Sequence, residues 1–94
     1  MRQGLAEAVE RLRRQPQGVA FRELRGICEE CFGAPRKQGG SHLVFRTGLR
    51  EPAFVNIQRK GKMAKPYQCR QVADAIEAQI REAKLKEAEA KGDG

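Results

Sequence analysis

Two short segments, residues 41–47 and 53–58, alternate apolar and polar side chains, and they constrain the fold more than any other feature of the chain. A period of two is typical of β-strands that bury one face and leave the other in water. The turn-forming residues 48–52 between them predict an antiparallel pair. The side chains expected on the buried face are Leu43, Phe45, Val55 and Ile57.

Three other segments space their apolar residues by three and four, which predicts amphipathic helices. They are residues 5–14, residues 20–32 and a stretch that follows the basic loop 59–66 and continues to Ala83. The short segment Pro35–Gln38 precedes paired glycines, which favour a tight hairpin turn, and we interpret it as an edge strand.

The resulting fold class is α+β, with a three-stranded antiparallel sheet packed on helices. The order is α-β-β-β-α with an extra N-terminal helix, and α-β-β-β-α is the order of double-stranded-RNA-binding domains. A length of 94 residues predicts one core. We expect residues 1–18 to form a helical extension, 19–85 the folded domain, and 86–94 a solvated tail rich in Lys, Glu and Ala.

Positive charge is concentrated in the middle of the chain. The formal net charge is +7, and residues 36–70 hold nine Lys or Arg against one acid, Glu51. Such a concentrated field attracts polyanions, of which nucleic acid is the most abundant in a cell. A merely solvated basic face and a surface for an acidic partner protein are the alternatives.

The three cysteines do not predict a metal site. Cys28 and Cys31 form a Cys-x-x-Cys, but both follow the apolar spacing of the second helix and are expected to pack as small core residues. Cys69 lies far away in sequence, and an odd number of cysteines argues against a disulfide framework. We expect neither a metal nor another cofactor.

No run of residues approaches the roughly 18 apolar positions that a membrane span requires. The first residues also lack the apolar stretch of a signal peptide. We therefore expect a cytoplasmic protein.

The single histidine, His42, falls on the strand face opposite Leu43 and Phe45. Imidazole transfers protons near neutral pH, which makes His42 the candidate catalytic group. Phe54 is expected on the same open face, where it could stack on a base or enter a protein interface. The candidate phosphate-binding residues are Lys37, Arg46, Lys62 and Lys65, the last two standing just before a helix N-terminus.

Two motifs resemble a known family. Gly40-Ser41-His42-Leu43-Val44-Phe45 resembles the G-S-H-x-x-[FY] strand of the HicA toxins, which are small mRNA interferases paired with HicB antitoxins. Gly61-Lys62-Met63-Ala64-Lys65-Pro66-Tyr67-Gln68 resembles the entry to the last helix in one HicA-like branch. The resemblance covers about residues 20–83. It implies a double-stranded-RNA-binding-like fold, with His42 as the functional residue and Gly40 and Ser41 as its supporting turn.

The resemblance further implies a toxin of a type II toxin–antitoxin system, an endoribonuclease that cleaves mRNA without a metal and uses His42 as general acid or base. Its expected partners are mRNA and a HicB-like antitoxin. Whether the toxin forms a homodimer within the complex is left open. The alternatives are a non-catalytic RNA-binding module and a basic interaction protein. Candidates for a second proton-transfer group are Lys37, Tyr67, water and the His42 of a second copy.

Overall fold

A computed structural model describes residues 4–39 and 42–92. The helices are α1 (Gly4–Arg14), α2 (Phe21–Phe32) and α3 (Pro66–Gly92), with a 3₁₀ turn at Pro16–Gly18. The strands are β1 (Lys37–Gly39), β2 (His42–Arg46), β3 (Phe54–Lys60) and β4 (Met63–Ala64).

The strands form one antiparallel sheet in the order β1-β2-β3-β4. The predicted α+β class, with its helices and its three antiparallel strands in sequence, is confirmed. The fourth strand, only two residues long, was not predicted. It forms because Gly61 adopts a positive φ of 65°, which a tight turn needs and glycine tolerates, so that the chain reverses directly onto the end of β3.

The buried face of the sheet is the one that the alternation predicted. The side chains of Phe45 and Ile57 are completely buried, and those of Leu43 and Val55 nearly so. They pack with core residues of α2 and α3, such as Leu24 and Ile76, whereas the side chains on the opposite face of β2 and β3 are exposed or half-buried. The core therefore lies between the sheet and the helices.

Helix α1 contributes to the same core. Its Leu12 is fully buried and packs in one apolar cluster with residues of α2, α3 and the sheet. At the rim, the Arg13 guanidinium donates to Asp74 at 2.7 Å and to Glu77 at 2.6 Å, and these hydrogen bonds raise the pKa of Arg13. The segment predicted as an extension is thus packed onto α3.

Helix α3 is longer than the apolar spacing indicated. It continues to Gly92, through most of the segment 86–94 that was interpreted as a tail. The side chains of residues 81–89 are exposed, so the prediction of solvation fits, but the backbone there is helical. Ala, Glu and Lys are strong helix formers, and propagation from an existing helix costs no new nucleation.

Truncating Leu12 tests whether α1 belongs to the folding unit. We expect Leu12→Ala to lower the free energy of unfolding by about 2–5 kcal/mol, because it removes a fully buried side chain from the shared core. Leu85, which is 63% exposed on α3, supplies the matched control, and Leu85→Ala should change stability by less than about 0.5 kcal/mol. Urea denaturation measures both; equal effects would show that α1 does not support the core.

Candidate nucleic-acid interface

The uncovered side of the sheet, here called the open face, consists of the even-numbered residues of β2 and β3. Residues directly opposite each other in an antiparallel pair point to the same face, with Cβ atoms about 5 Å apart. The register therefore arranges six side chains in three rows. The rows are His42 with Gln58, Val44 with Asn56, and Arg46 with Phe54.

His42 is exposed at the first residue of β2, on the open face, as the alternation predicted. Gly39 of β1 lies opposite it on one side and Gln58 of β3 on the other. A glycine neighbour leaves the imidazole accessible from the β1 side. Gly40 and Ser41, the predicted supporting turn, lie outside the described residues.

Lys65 reaches the row of His42 through a hydrogen bond. Its ammonium group donates to the side-chain oxygen of Gln58 at 3.0 Å, and Gln58 stands directly opposite His42. A cation is therefore bonded to the residue directly opposite His42, and that residue, Gln58, was not among the predicted site residues.

Gln68 stabilises the position of Gln58 from the buried side of the sheet. Its side chain is buried, and its carbonyl oxygen accepts the backbone N–H of Gln58 at 2.7 Å. Strand β4 ends at Ala64, so it cannot pair with Gln58, and the Gln68 amide takes the place of a strand partner. The Gln68 nitrogen lies 3.4 Å from the Tyr67 hydroxyl, which places the exposed phenol close to the same cluster.

The other candidate phosphate-binding residues are farther from His42. Arg46 lies four residues along β2, about 13 Å away at about 3.4 Å per residue. Lys62 is exposed in the β3–β4 turn, where its carbonyl accepts the N–H of Phe21 at 2.9 Å. Lys37 pairs with Val44 through its backbone, but its side chain is outside the described part of the chain. Of the described candidates, Lys65 is the one bonded to a residue in the row of His42.

The start of α3 is a weaker anion site than the sequence indicated. Pro66 has no N–H, and the N–H groups of Gln68 and Cys69 both donate to the Lys65 carbonyl, at 2.9 and 3.1 Å. Of the four N–H groups that a helix N-terminus normally leaves free, Pro66 therefore lacks its own and that of Gln68 is already occupied. Positive charge at this place comes chiefly from the Lys65 side chain.

The cysteines behave as core residues. Cys28 and Cys69 are fully buried, and burial raises the pKa of both thiols, which keeps them protonated at neutral pH. Among the residues that the structure describes, no three His, Cys, Asp or Glu side chains are grouped so that they could hold a metal ion.

Comparison with known proteins identified no relative: no family model, no curated protein and no solved structure matches this chain. Across residues 4–39 and 42–92, no helix is both long enough and apolar enough to cross a membrane.

Removing the Gln68 amide tests its role at the end of β3. We expect Gln68→Ala to lower the free energy of unfolding by about 1–3 kcal/mol, because the Gln58 N–H loses its partner in a half-buried setting. The exposed Gln71 on the same helix is the matched control, and Gln71→Ala should be nearly neutral. Thermal and urea denaturation of both variants provide the measurement. A Gln68→Ala protein as stable as Gln71→Ala would contradict the assignment.

Proposed function

We propose that this chain is a metal-independent endoribonuclease that cleaves mRNA at the open face, with His42 as the group that transfers the proton. The observation that carries the proposal is the exposed imidazole in one row with Gln58, whose side chain holds the Lys65 ammonium. The surrounding basic block and the resemblance to the HicA toxins support it.

RNA supplies its own nucleophile in this reaction. His42 accepts the proton of a 2′-OH while that oxygen forms a bond to the adjacent phosphorus. The bond from phosphorus to the 5′-oxygen breaks, and the leaving oxygen takes a proton from water, which reaches this exposed site. The products are a 2′,3′-cyclic phosphate and a 5′-OH. Lys65 stabilises the negative charge that develops on the phosphorane oxygens.

The biological role that fits this activity is that of a toxin controlled by a HicB-like antitoxin. The support for this part is the resemblance of residues 40–45 and 61–68 to HicA. An antitoxin with an acidic surface would be attracted to the same basic block and would compete with RNA for it. A non-catalytic RNA-binding module is the second candidate, because the exposed, basic open face would serve it equally well.

Substituting His42 separates catalysis from binding. We expect His42→Ala to reduce RNA cleavage in EDTA by about 10²–10⁴-fold, the usual contribution of a general acid or base. Since His42 is exposed, the thermal melt should stay unchanged. Cleavage is followed on gels, and the cyclic phosphate is identified by mass spectrometry. Undiminished cleavage by a folded variant would overturn the proposal, and binding without cleavage by the unmodified protein would favour the RNA-binding module.

Lys65 should contribute charge rather than stability. We expect Lys65→Ala to reduce the slope of log Kd for RNA against log salt concentration by about one, because one phosphate contact is lost. Lys84, exposed on the part of α3 beyond the core, is the matched control, and Lys84→Ala should leave that slope unchanged. Equal slopes for the two variants would place the phosphate elsewhere.

A further inference from the structure

We infer that the open face binds single-stranded RNA and that Phe54 forms a platform on which an unpaired nucleobase stacks, on the same face as the linkage at His42. The inference deepens the proposed function and rests on it for the position of the cleaved linkage. Stacking itself is independent of cleavage, so an experiment can contradict the stacking inference without contradicting the proposed cleavage, and the reverse.

Phe54 is the largest apolar side chain on the open face and is 53% exposed. The register places it directly opposite Arg46, in the row farthest from His42. An exposed aromatic ring beside a guanidinium presents a π-face to a base and a charge to its phosphate. Aromatic side chains on an antiparallel sheet are a recurrent platform for the bases of single-stranded RNA.

The spacing of the rows indicates a path, here called the track, along which a single strand of RNA can bind. Phe54 lies four residues from Gln58 along β3, about 13 Å, so a base on Phe54 cannot belong to the sugar whose 2′-OH contacts His42. The row between them contributes the half-buried Val44 and the exposed amide of Asn56. A strand crossing these rows would place consecutive nucleotides between the platform and the imidazole.

Only unpaired RNA can use this track. In a duplex the bases are stacked on one another inside the helix, and proteins contact mainly the 2′-OH groups and phosphates. Phe54 would then face sugar and phosphate and contribute no stacking. A ring on the open face can therefore stack on a ligand only where the bases of that ligand are unpaired and splayed out.

The charge of the surface favours RNA over a protein partner. None of the six side chains in the rows is acidic, and Lys60 and Lys65 extend the positive charge at the β3 end. The apolar part consists of Phe54, the half-buried Val44 and, at the edge, Met63. An exposed ring among cations is typical of a stacking site, whereas a protein interface buries a contiguous apolar patch.

The test uses a 2′-O-methyl oligoribonucleotide that carries one 2-aminopurine and cannot be cleaved because it lacks the attacking hydroxyl. With the unmodified protein we expect 2-aminopurine fluorescence to be quenched by stacking. Phe54→Leu should abolish the quenching and raise Kd by about 5- to 150-fold, the equivalent of one lost stacking contact. Phe54→Tyr should retain the quenching and the affinity of the unmodified protein. Leu85→Ala, at an exposed apolar site on α3, should change neither.

A duplex of the same sequence should bind more weakly and be insensitive to Phe54→Leu. Equal affinity of Phe54→Leu and unmodified protein for the single strand would overturn the inference. So would a duplex that binds as tightly as the single strand, or a Phe54→Leu variant that alters self-association but not RNA binding. If stacking is lost in Phe54→Leu while His42→Ala still cleaves, the stacking platform stands and the proposed cleavage by His42 fails.

Discussion

Burial of Leu43, Phe45, Val55 and Ile57 on β2 and β3 is the constraint on which the rest of the structure depends. Phe45 and Ile57 are completely enclosed between the sheet and the helices, so the register of the two strands cannot slip by one residue without exposing them. The same register fixes what lies outside. It places His42, Arg46 and Phe54 on one surface.

The hydrogen bonds of Gln58 connect this framework to the start of α3. Its backbone N–H donates to buried Gln68, and its side-chain oxygen accepts from Lys65. Because β4 is only two residues long, the chain leaves the sheet early and brings the first turn of α3 next to β3. Continuing the register of β3 and β4 by one residue would place Lys65 opposite Gln58. The early end of β4 instead leaves the Gln58 N–H to the Gln68 amide.

Most of the fold could be predicted from local patterns, because the period of two and the three- and four-residue spacings report directly which side is buried. The exposure of His42 followed from the same alternation. Gln68 could not be predicted from its type, since its burial depends on where β4 ends, and its place in the Gly61–Gln68 motif was the available signal. The packing of α1 on α3 joins residues distant in sequence, and the bond from Lys65 to Gln58 depends on the turn between β3 and β4; periodic patterns encode neither.

An NMR titration tests most directly whether the open face is the surface that binds RNA. Backbone amide signals of ¹⁵N-labelled protein would be followed as an uncleavable single-stranded oligoribonucleotide is added. If it is, the largest shifts will fall on residues 42–46, 54–58 and 65–68, and α1 and the exposed end of α3 will be unaffected. Shifts concentrated on the helices, with β2 and β3 unchanged, would contradict it.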